Sequence, residues 1–326
     1  MSRRVLVTGA GGFIGGHAVK RLVAEGRDVV AVDIKSQDAW YQVQCDALNF
    51  DLCDLRDPYA TASLSGRGYD EIYNFAADMG GMGFIAAHRV DCMNSVSIIV
   101  NMTKLALETG AKLFFASSAC VYPDYRQQTE QVSLKEEDAW PADPEPGYGL
   151  EKLFGEQLCQ FYHEEHGLNT RVARFHNIFG PKGTWDGGRE KAPAAICRKV
   201  ARAALFGETD VEIWGDGEQT RSFLYVDECL EGVDRLMQST TTEPLNVGSD
   251  ELVSINQLVS MVEDIAGVRV KRHYDLSKPQ GVRGRNSDNT KIRELLGWSP
   301  SSKLIDGLEV TYHWIYDEIK SGKKTK

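Results

Sequence analysis

Short, almost continuous apolar runs alternate with longer stretches of helical periodicity through the first half of this chain. Strands that read as unbroken apolar runs are buried on both faces, so the alternation predicts a parallel sheet covered by helices on both sides. Val5–Thr8, Asp28–Asp33, Glu71–Phe75, Lys112–Ala116 and Thr170–Arg174 are the expected strands, with helices over 13–25, 90–109 and 148–166 between them. A short strand near 48–51 and a helix after Pro58 fill the less regular stretch 34–68. After Phe175 the rhythm loosens into Gly/Pro-rich loops, Gly180-Pro-Lys-Gly183 and Trp185-Asp-Gly-Gly188, with a helix over Pro193–Phe206 and a strand over Val211–Trp214. The expected architecture is α/β: a doubly wound parallel sheet over 1–174, then a smaller C-terminal α/β lobe over 175–326. Segments near 221–248 are expected to return to the first domain.

Composition narrows the class. The 326 residues are 42% hydrophobic and 26% charged, which is ordinary for a globular chain able to bury a substantial core. A formal net charge of −10 argues against a general nucleic-acid or anionic-membrane surface, so an anionic ligand has to be gripped locally. Seven scattered cysteines without a Cys-x-x-Cys pair fit reduced thiols better than a disulfide framework or a zinc site, and no metal is expected. The apolar run after Met1-Ser2-Arg3-Arg4 is too short for a signal peptide, and no later segment reaches membrane-spanning length; a cytoplasmic location is expected. Lys320–Lys326 reads as a frayed, solvated tail.

The first strand runs into Gly9-Ala-Gly-Gly12-Phe-Ile-Gly15, a glycine turn that opens a helix. Glycines there let a pyrophosphate approach the backbone and rest on the free N–H groups of the helix start. The expectation is a Rossmann-type NAD-binding domain with Gly9, Gly12, Phe13, Ile14 and Gly15 against the cofactor. Asp33 ends the second strand, where a carboxylate accepts from ribose hydroxyls and repels a 2′-phosphate, which favours NAD over NADP. Asp54 reaches the adenine or caps a helix; both readings stand. Ala76 and Ala77 are small enough for the backbone to lie along the cofactor.

Tyr148 and Lys152, four apart on a helix, share a face. A neighbouring ammonium favours a phenolate, so the tyrosine serves as base toward a hydroxyl that Ser118 also holds. Cys120 lies two residues beyond Ser118. A thiol there is superfluous for simple alcohol oxidation and points to proton transfer at carbon. His176 is expected to be a structural, hydrogen-bonded histidine. Lys199 and Arg202 lie on one helix and face either a diphosphate or solvent.

The strings Ala76-Ala-Asp-Met-Gly-Gly-Met-Gly83, Ser117-Ser-Ala-Cys-Val-Tyr-Pro123, Tyr148-Gly-Leu-Glu-Lys152, Arg174-Phe-His-Asn177, Gly187-Gly-Arg-Glu-Lys-Ala-Pro-Ala195, Gln219-Thr-Arg-Ser222 and Gly281-Val-Arg-Gly-Arg-Asn-Ser-Asp288 carry a resemblance. The chain resembles the extended short-chain dehydrogenase/reductases that act on nucleotide sugars, and among them the GDP-mannose 3,5-epimerase family, over nearly its whole length. The resemblance implies that Tyr148, Lys152 and Ser118 serve reversible oxidation at C4 with bound NAD, and that Cys120 and Lys191 are the acid-base pair. It further implies substrate contacts from Gly80, Ser118, Ala119, Cys120, Asn177, Glu190, Lys191, Ala192, Lys199, Gln219, Thr220, Arg221 and Arg285, the last as a phosphate clamp. GDP-mannose is the implied small-molecule substrate. A homodimer built on the 90–109 and 148–166 helices is expected by analogy. Residues 34–50 and the 125–132 loop follow the family pattern poorly.

The chemistry is coherent on its own terms. A ketone at C4 acidifies the hydrogens at C3 and C5, so one oxidation serves two inversions. Each inversion removes a proton from one face and delivers one to the other, which needs two groups across the ring. The working expectation has the thiol as base at both carbons. Two other readings compete with this one. A GDP-L-fucose synthase-like epimerase-reductase would pair its cysteine with a histidine and consume NADPH; Lys191 and Asp33 oppose it. A non-catalytic NAD-binding interaction protein would have no reason to keep all five chemical groups.

Overall fold

The computed structural model describes residues 3–42 and 49–325. Cys45 and residue 48 of the expected third strand lie outside them. Seven parallel strands form the central sheet. Six come from the first half: β1 (Arg4–Thr8), β2 (Asp28–Asp33), β3 (Asn49–Leu52), β4 (Glu71–Asn74), β5 (Lys112–Ser118) and β6 (Thr170–Phe175). The seventh, Leu245–Val247, pairs with β6, so the sheet runs β3-β2-β1-β4-β5-β6 and then this last strand. Alternation along the strands supplies both faces: Val5 and Val7 of β1 join the core on one side, Leu6 the core on the other. This is the doubly wound α/β arrangement expected, with β5 two residues longer than its apolar run because Ser117 and Ser118 continue the pairing with β6.

The covering helices include α1 (Phe13–Ala24), α2 (Pro58–Ala62), α3 (Met82–Ala87), α4 (Arg89–Asn94), α5 (Val96–Thr109) and α6 (Tyr148–His166). The expected 90–109 helix is two, broken at Ser95, whose hydroxyl accepts a hydrogen bond from the Asp78 amide at 2.9 Å. The helix after Pro58 is capped by Asp57, which accepts from the Tyr59 amide at 2.9 Å, so the capping reading of Asp54 is corrected. Farther along the chain α7 (Ala192–Phe206) packs with the helices Ile255–Ala266 and Leu304–Lys320 around Ile196, Val200, Leu258, Val259, Leu308 and Ile315. The tail is not wholly frayed: the Thr325 hydroxyl lies 3.4 Å from the Trp185 amide and 3.5 Å from the Tyr41 hydroxyl. No helix among the described residues is long and apolar enough to cross a membrane.

Beneath β5 lies a buried polar network. Glu156 of α6 receives Arg174 through Nε at 3.0 Å and Nη2 at 2.7 Å, and Ser117 bonds the same carboxylate. Arg174 also donates to the Glu136 carbonyl at 2.7 Å and the Tyr122 hydroxyl at 3.2 Å. Every donor in this network faces an acceptor, which is the condition for burying charge without loss. Glu156→Ala would leave the guanidinium unpaired and is expected to destabilise the fold by about 3–5 kcal/mol in denaturant titration.

Candidate active site

The turn between β1 and α1 is shaped by backbone crowding. Gly9 has φ +68°, and a Cβ there would stand 2.8 Å from the Ala76 amide. A Cβ on Gly15 would stand 2.1 Å from the Gly9 carbonyl oxygen. Gly12 begins α1 with no side-chain cap, which leaves the first amides of the helix available to an anion. The buried Asp33 carboxylate accepts from the Gly11 amide and the Lys35 amide, each at 2.8 Å, and so braces the same turn from the end of β2. Asp54 lines the cleft in an exposed ion pair with Arg56 at 2.7 Å.

Gly9, Gly12, Phe13, Ile14, Gly15, Asp33, Asp54, Ala76, Ala77, Ser118, Tyr148, Lys152 and Lys191 all line one cleft of about 670 Å³. Gly180, Gly183, Thr184, Asp186 and Gly187 line it from a later part of the chain. The sequence marks the first of these as Gly/Pro-rich loops without placing them at the cleft, and Thr311 and Thr325 gave no signal because distant folding brings them there.

Ser118 ends β5 and accepts from the Cys120 amide at 3.2 Å, starting a single 3-10 turn over Ala119–Val121. Tyr148 is the first residue of α6, after Gly147 at φ +99°. The turn and the helix are bolted together: the Glu145 amide donates to the Cys120 carbonyl at 3.0 Å, and Glu145 Oε2 accepts from the Gly149 amide at 3.0 Å. Cys120 and Tyr148 share a small buried cluster with Phe84, Ile85 and Cys92, roofed by Met79 and Met82. The loop carrying Gly80 lies against the Arg189–Lys191 segment, with the Gly81 amide donating to the Arg189 carbonyl at 3.0 Å. Arg189 stacks over Phe84 at 3.8 Å and pairs with Asp78 at 2.7 Å, a contact the sequence did not announce.

Burial first, then the charges of Cys120 and Glu151, push the Tyr148 phenol well above its ordinary value; a hydrogen bond with Ser118 opposes them. Burial thus works against the phenolate that a neighbouring ammonium is expected to favour. Lys152 stands with Nζ 5.5 Å from the Tyr148 ring centroid and 5.0 Å from that of Phe115, and 3.4 Å from Glu151 Oε2. Burial also lowers the Lys191 ammonium, with Cys120 and Cys229 raising it and Arg285 lowering it further. Lys191 precedes the first turn of α7, where the helix dipole likewise disfavours positive charge.

Arg285 is buried, with Nη1 on the Cys120 sulfur at 3.3 Å and Nε on Gln127 Oε1 at 2.6 Å. Its guanidinium is thus engaged at the thiol, where a phosphate clamp was expected. Arg221 donates to the carbonyls of Thr220 at 2.7 Å and Val282 at 2.6 Å, and burial depresses its guanidinium.

Other expected substrate residues are engaged in internal contacts. Asn177 holds a left-handed φ of 46° and donates to the Ser222 carbonyl at 2.9 Å. Glu190 pairs with Arg198 at 3.0 Å, Thr220 donates to the Glu130 carbonyl at 2.6 Å, and Lys199 Nζ donates to the Glu212 carbonyl at 2.5 Å. Gln219 donates to the Trp214 carbonyl at 2.8 Å and borders a smaller cavity of about 170 Å³. Ala119 is buried as the first residue of the 3-10 turn and Ala192 opens α7. Arg202 pairs with Glu208 on the exposed face, as the solvent reading had it.

His176 is fully buried with Nε2 2.8 Å from Asn246 Oδ1, and burial lowers it to about 3. It stays neutral in the fold while an unfolded histidine protonates near 6.5, so the unfolded chain binds more protons between those values. Stability should rise with pH from about 3 to 6.5. His176→Gln should flatten this slope by up to about 1.4 kcal/mol per pH unit in urea titrations at stepped pH; an unchanged slope would contradict the assignment.

The profile of the NAD dependent epimerase/dehydratase family matches residues 5–248. GDP-mannose 3,5-epimerase 1 of Oryza sativa subsp. japonica is 50% identical over 324 residues, 98% of this chain and 83% of the relative. GDP-mannose 3,5-epimerase of Arabidopsis thaliana is 49% identical over 98% of this chain and 84% of its own. Among solved structures, a UDP-glucose 4-epimerase of Thermotoga maritima with UDP-glucose superposes with a TM-score of 0.86 at 25% identity, covering 97% of this chain and 99% of that one.

Proposed function

The chain belongs to the NAD dependent epimerase/dehydratase family and within it to the GDP-mannose 3,5-epimerases, and on that premise we propose that it converts GDP-D-mannose to GDP-L-galactose, with some GDP-L-gulose from inversion at C5 alone. One observation carries the reading. A thiol and a lysine 71 positions apart come to one place: Cys120 shares a buried cluster with Tyr148, and Lys191 lines the same cleft as Ser118, Tyr148 and Lys152.

The cleft fits NAD. The glycine turn leaves helix amides for a pyrophosphate, Asp33 receives the ribose and repels a 2′-phosphate, and Ala76 and Ala77 leave room along the wall. Bound NAD supplies hydride chemistry at C4, accepting the hydride and later returning it, so that the net reaction is redox-neutral. Ser118 holds the C4 hydroxyl and Tyr148 takes its proton. Because burial raises the phenol, that transfer depends on positive charge beside the ring, of which Lys152 supplies part.

With C4 a ketone, the carbanion at C5 or C3 is an enolate. Cys120 as thiolate removes the proton from one face, becoming a thiol, and Lys191 as ammonium delivers a proton to the other, becoming an amine. Solvent exchange restores both groups before the second inversion. The lowered Lys191 suits this task, since an ammonium closer to neutrality gives up its proton more readily. Arg221, Gln219, Asn177, Glu190 and Lys199 belong to the GDP-sugar side, and their present internal bonds are exchanged for substrate contacts on binding, while Arg285 keeps its place at the Cys120 sulfur.

We place the protein in the cytosol, a reading supported by free, buried cysteines among the described residues. A homodimer is supported by half-exposed Leu107 on α5 and Leu150, Phe154 and Phe161 on α6, an apolar face suited to an isologous helix pairing. Phe154→Glu should convert a sedimenting dimer to monomer; a wild-type monomer would overturn this.

The reaction is tested by incubating the protein with GDP-mannose in D2O without added cofactor. Deuterium at C3 and C5 with new epimers is expected, whereas a requirement for stoichiometric NADPH would sink the proposal. Cys120→Ala should abolish that exchange and leave a trace of enzyme-bound NADH absorbance. Normal epimerisation by this variant would remove the thiol from the mechanism.

A further inference from the structure

Gln127 lies in the loop that follows the Cys120 turn, and it is fully buried. Its Nε2 donates to the carbonyls of Tyr122 and Pro123, both at 3.1 Å, which follow directly on the turn that carries Cys120. Its Oε1 accepts from Arg285 Nε at 2.6 Å, and its backbone carbonyl accepts from the amides of Arg283 at 3.0 Å and Gly284 at 3.2 Å. Arg285 Nη1 then returns to the Cys120 sulfur at 3.3 Å. The result is a closed ring of contacts from the thiol turn through Gln127 and Arg285 back to the thiol.

The two arms of the guanidinium have different partners, so its plane is fixed by Gln127 on one side while it meets sulfur on the other. A guanidinium is planar with donors in a fixed fork, so an acceptor on Nε sets the direction of Nη1. We propose that Gln127 is a positioning residue for proton transfer at carbon: it aims Arg285 at the Cys120 sulfur, which fixes the thiol's direction and supplies a charged donor when the sulfur is unprotonated. Gln127 acts through Arg285 and touches no reacting atom. The inference rests on the reading of Cys120 as a proton carrier.

Gln127→Met keeps the volume and removes both polar ends. The expected result is a KM for GDP-mannose within two-fold of wild type and a kcat for C3/C5 deuterium exchange lowered by about a hundred-fold, the cost of misplacing a reacting group by an ångström. Bound-NADH formation at C4 should persist. Alkylation of Cys120 by iodoacetamide, read by peptide mass spectrometry, should slow several-fold. A raised KM with unchanged kcat would assign Arg285 to substrate binding alone and overturn the proposal, as would unchanged alkylation. Should Gln127→Met fail to fold, Arg285→Lys is the second variant: it keeps the charge, cannot serve Gln127 and sulfur together, and should give the same split. If the wild-type protein shows no exchange at C3 or C5, the functional reading itself has failed. The alkylation comparison still tests the Gln127 link in that case.

Discussion

The site depends on one close packing contact, that of the Cys120 carbonyl against the first turn of α6. A Cβ on Gly149 would stand 2.2 Å from that oxygen, so only glycine lets the 3-10 turn and the helix approach this closely. The Glu145 amide completes the junction from the other side. The approach gathers three groups of different sequence origin: Ser118 at the end of β5, Cys120 in the turn and Tyr148 at the helix start. Lys152 follows one turn later on the same face. The Arg174–Glu156 network beneath keeps β5, β6 and α6 in register, so the groups proposed for catalysis stand on rigid elements rather than on a loose loop.

Later segments of the chain bring positive charge to this frame. Lys191 arrives before the first turn of α7 and Arg285 from the far end of the chain, while Arg221 lies nearby on the strand Thr220–Ser222. Burying cations together is costly, and the cost is visible in the depressed lysine and arginine. The arrangement is sensible only if negative charge comes to meet it: a thiolate, an enolate oxygen and a diphosphate are the charges that the proposed reaction provides. Placing an ammonium at a helix N-terminus works in the same direction, weakening its hold on the proton it is asked to give.

Much of this was readable from residue order because its physics is local. A glycine turn between a strand and a helix, an acid at the next strand end and a Tyr-Lys pair one turn apart announce themselves within a few residues. The doubly wound sheet follows from apolar runs of the right length. Contacts that depend on distant folding left no such trace. Arg285 on the sulfur, Gln127 behind it and Thr325 at the cleft join segments separated by more than a hundred positions. The left-handed Asn177 carries backbone strain that no composition rule foretells. The break at Ser95 and the high Tyr148 phenol likewise follow from tertiary contact and burial.

The central claim is spatial: sulfur and ammonium face each other across a sugar ring oxidised at C4. A crystal structure with NAD and GDP-mannose bound measures it most directly. The account predicts Cys120 Sγ and Lys191 Nζ on opposite faces of the ring, each about 3–3.5 Å from C3 or C5, with Tyr148 and Ser118 on the C4 oxygen. Both groups on one face, or Lys191 turned away to the diphosphate, would contradict it.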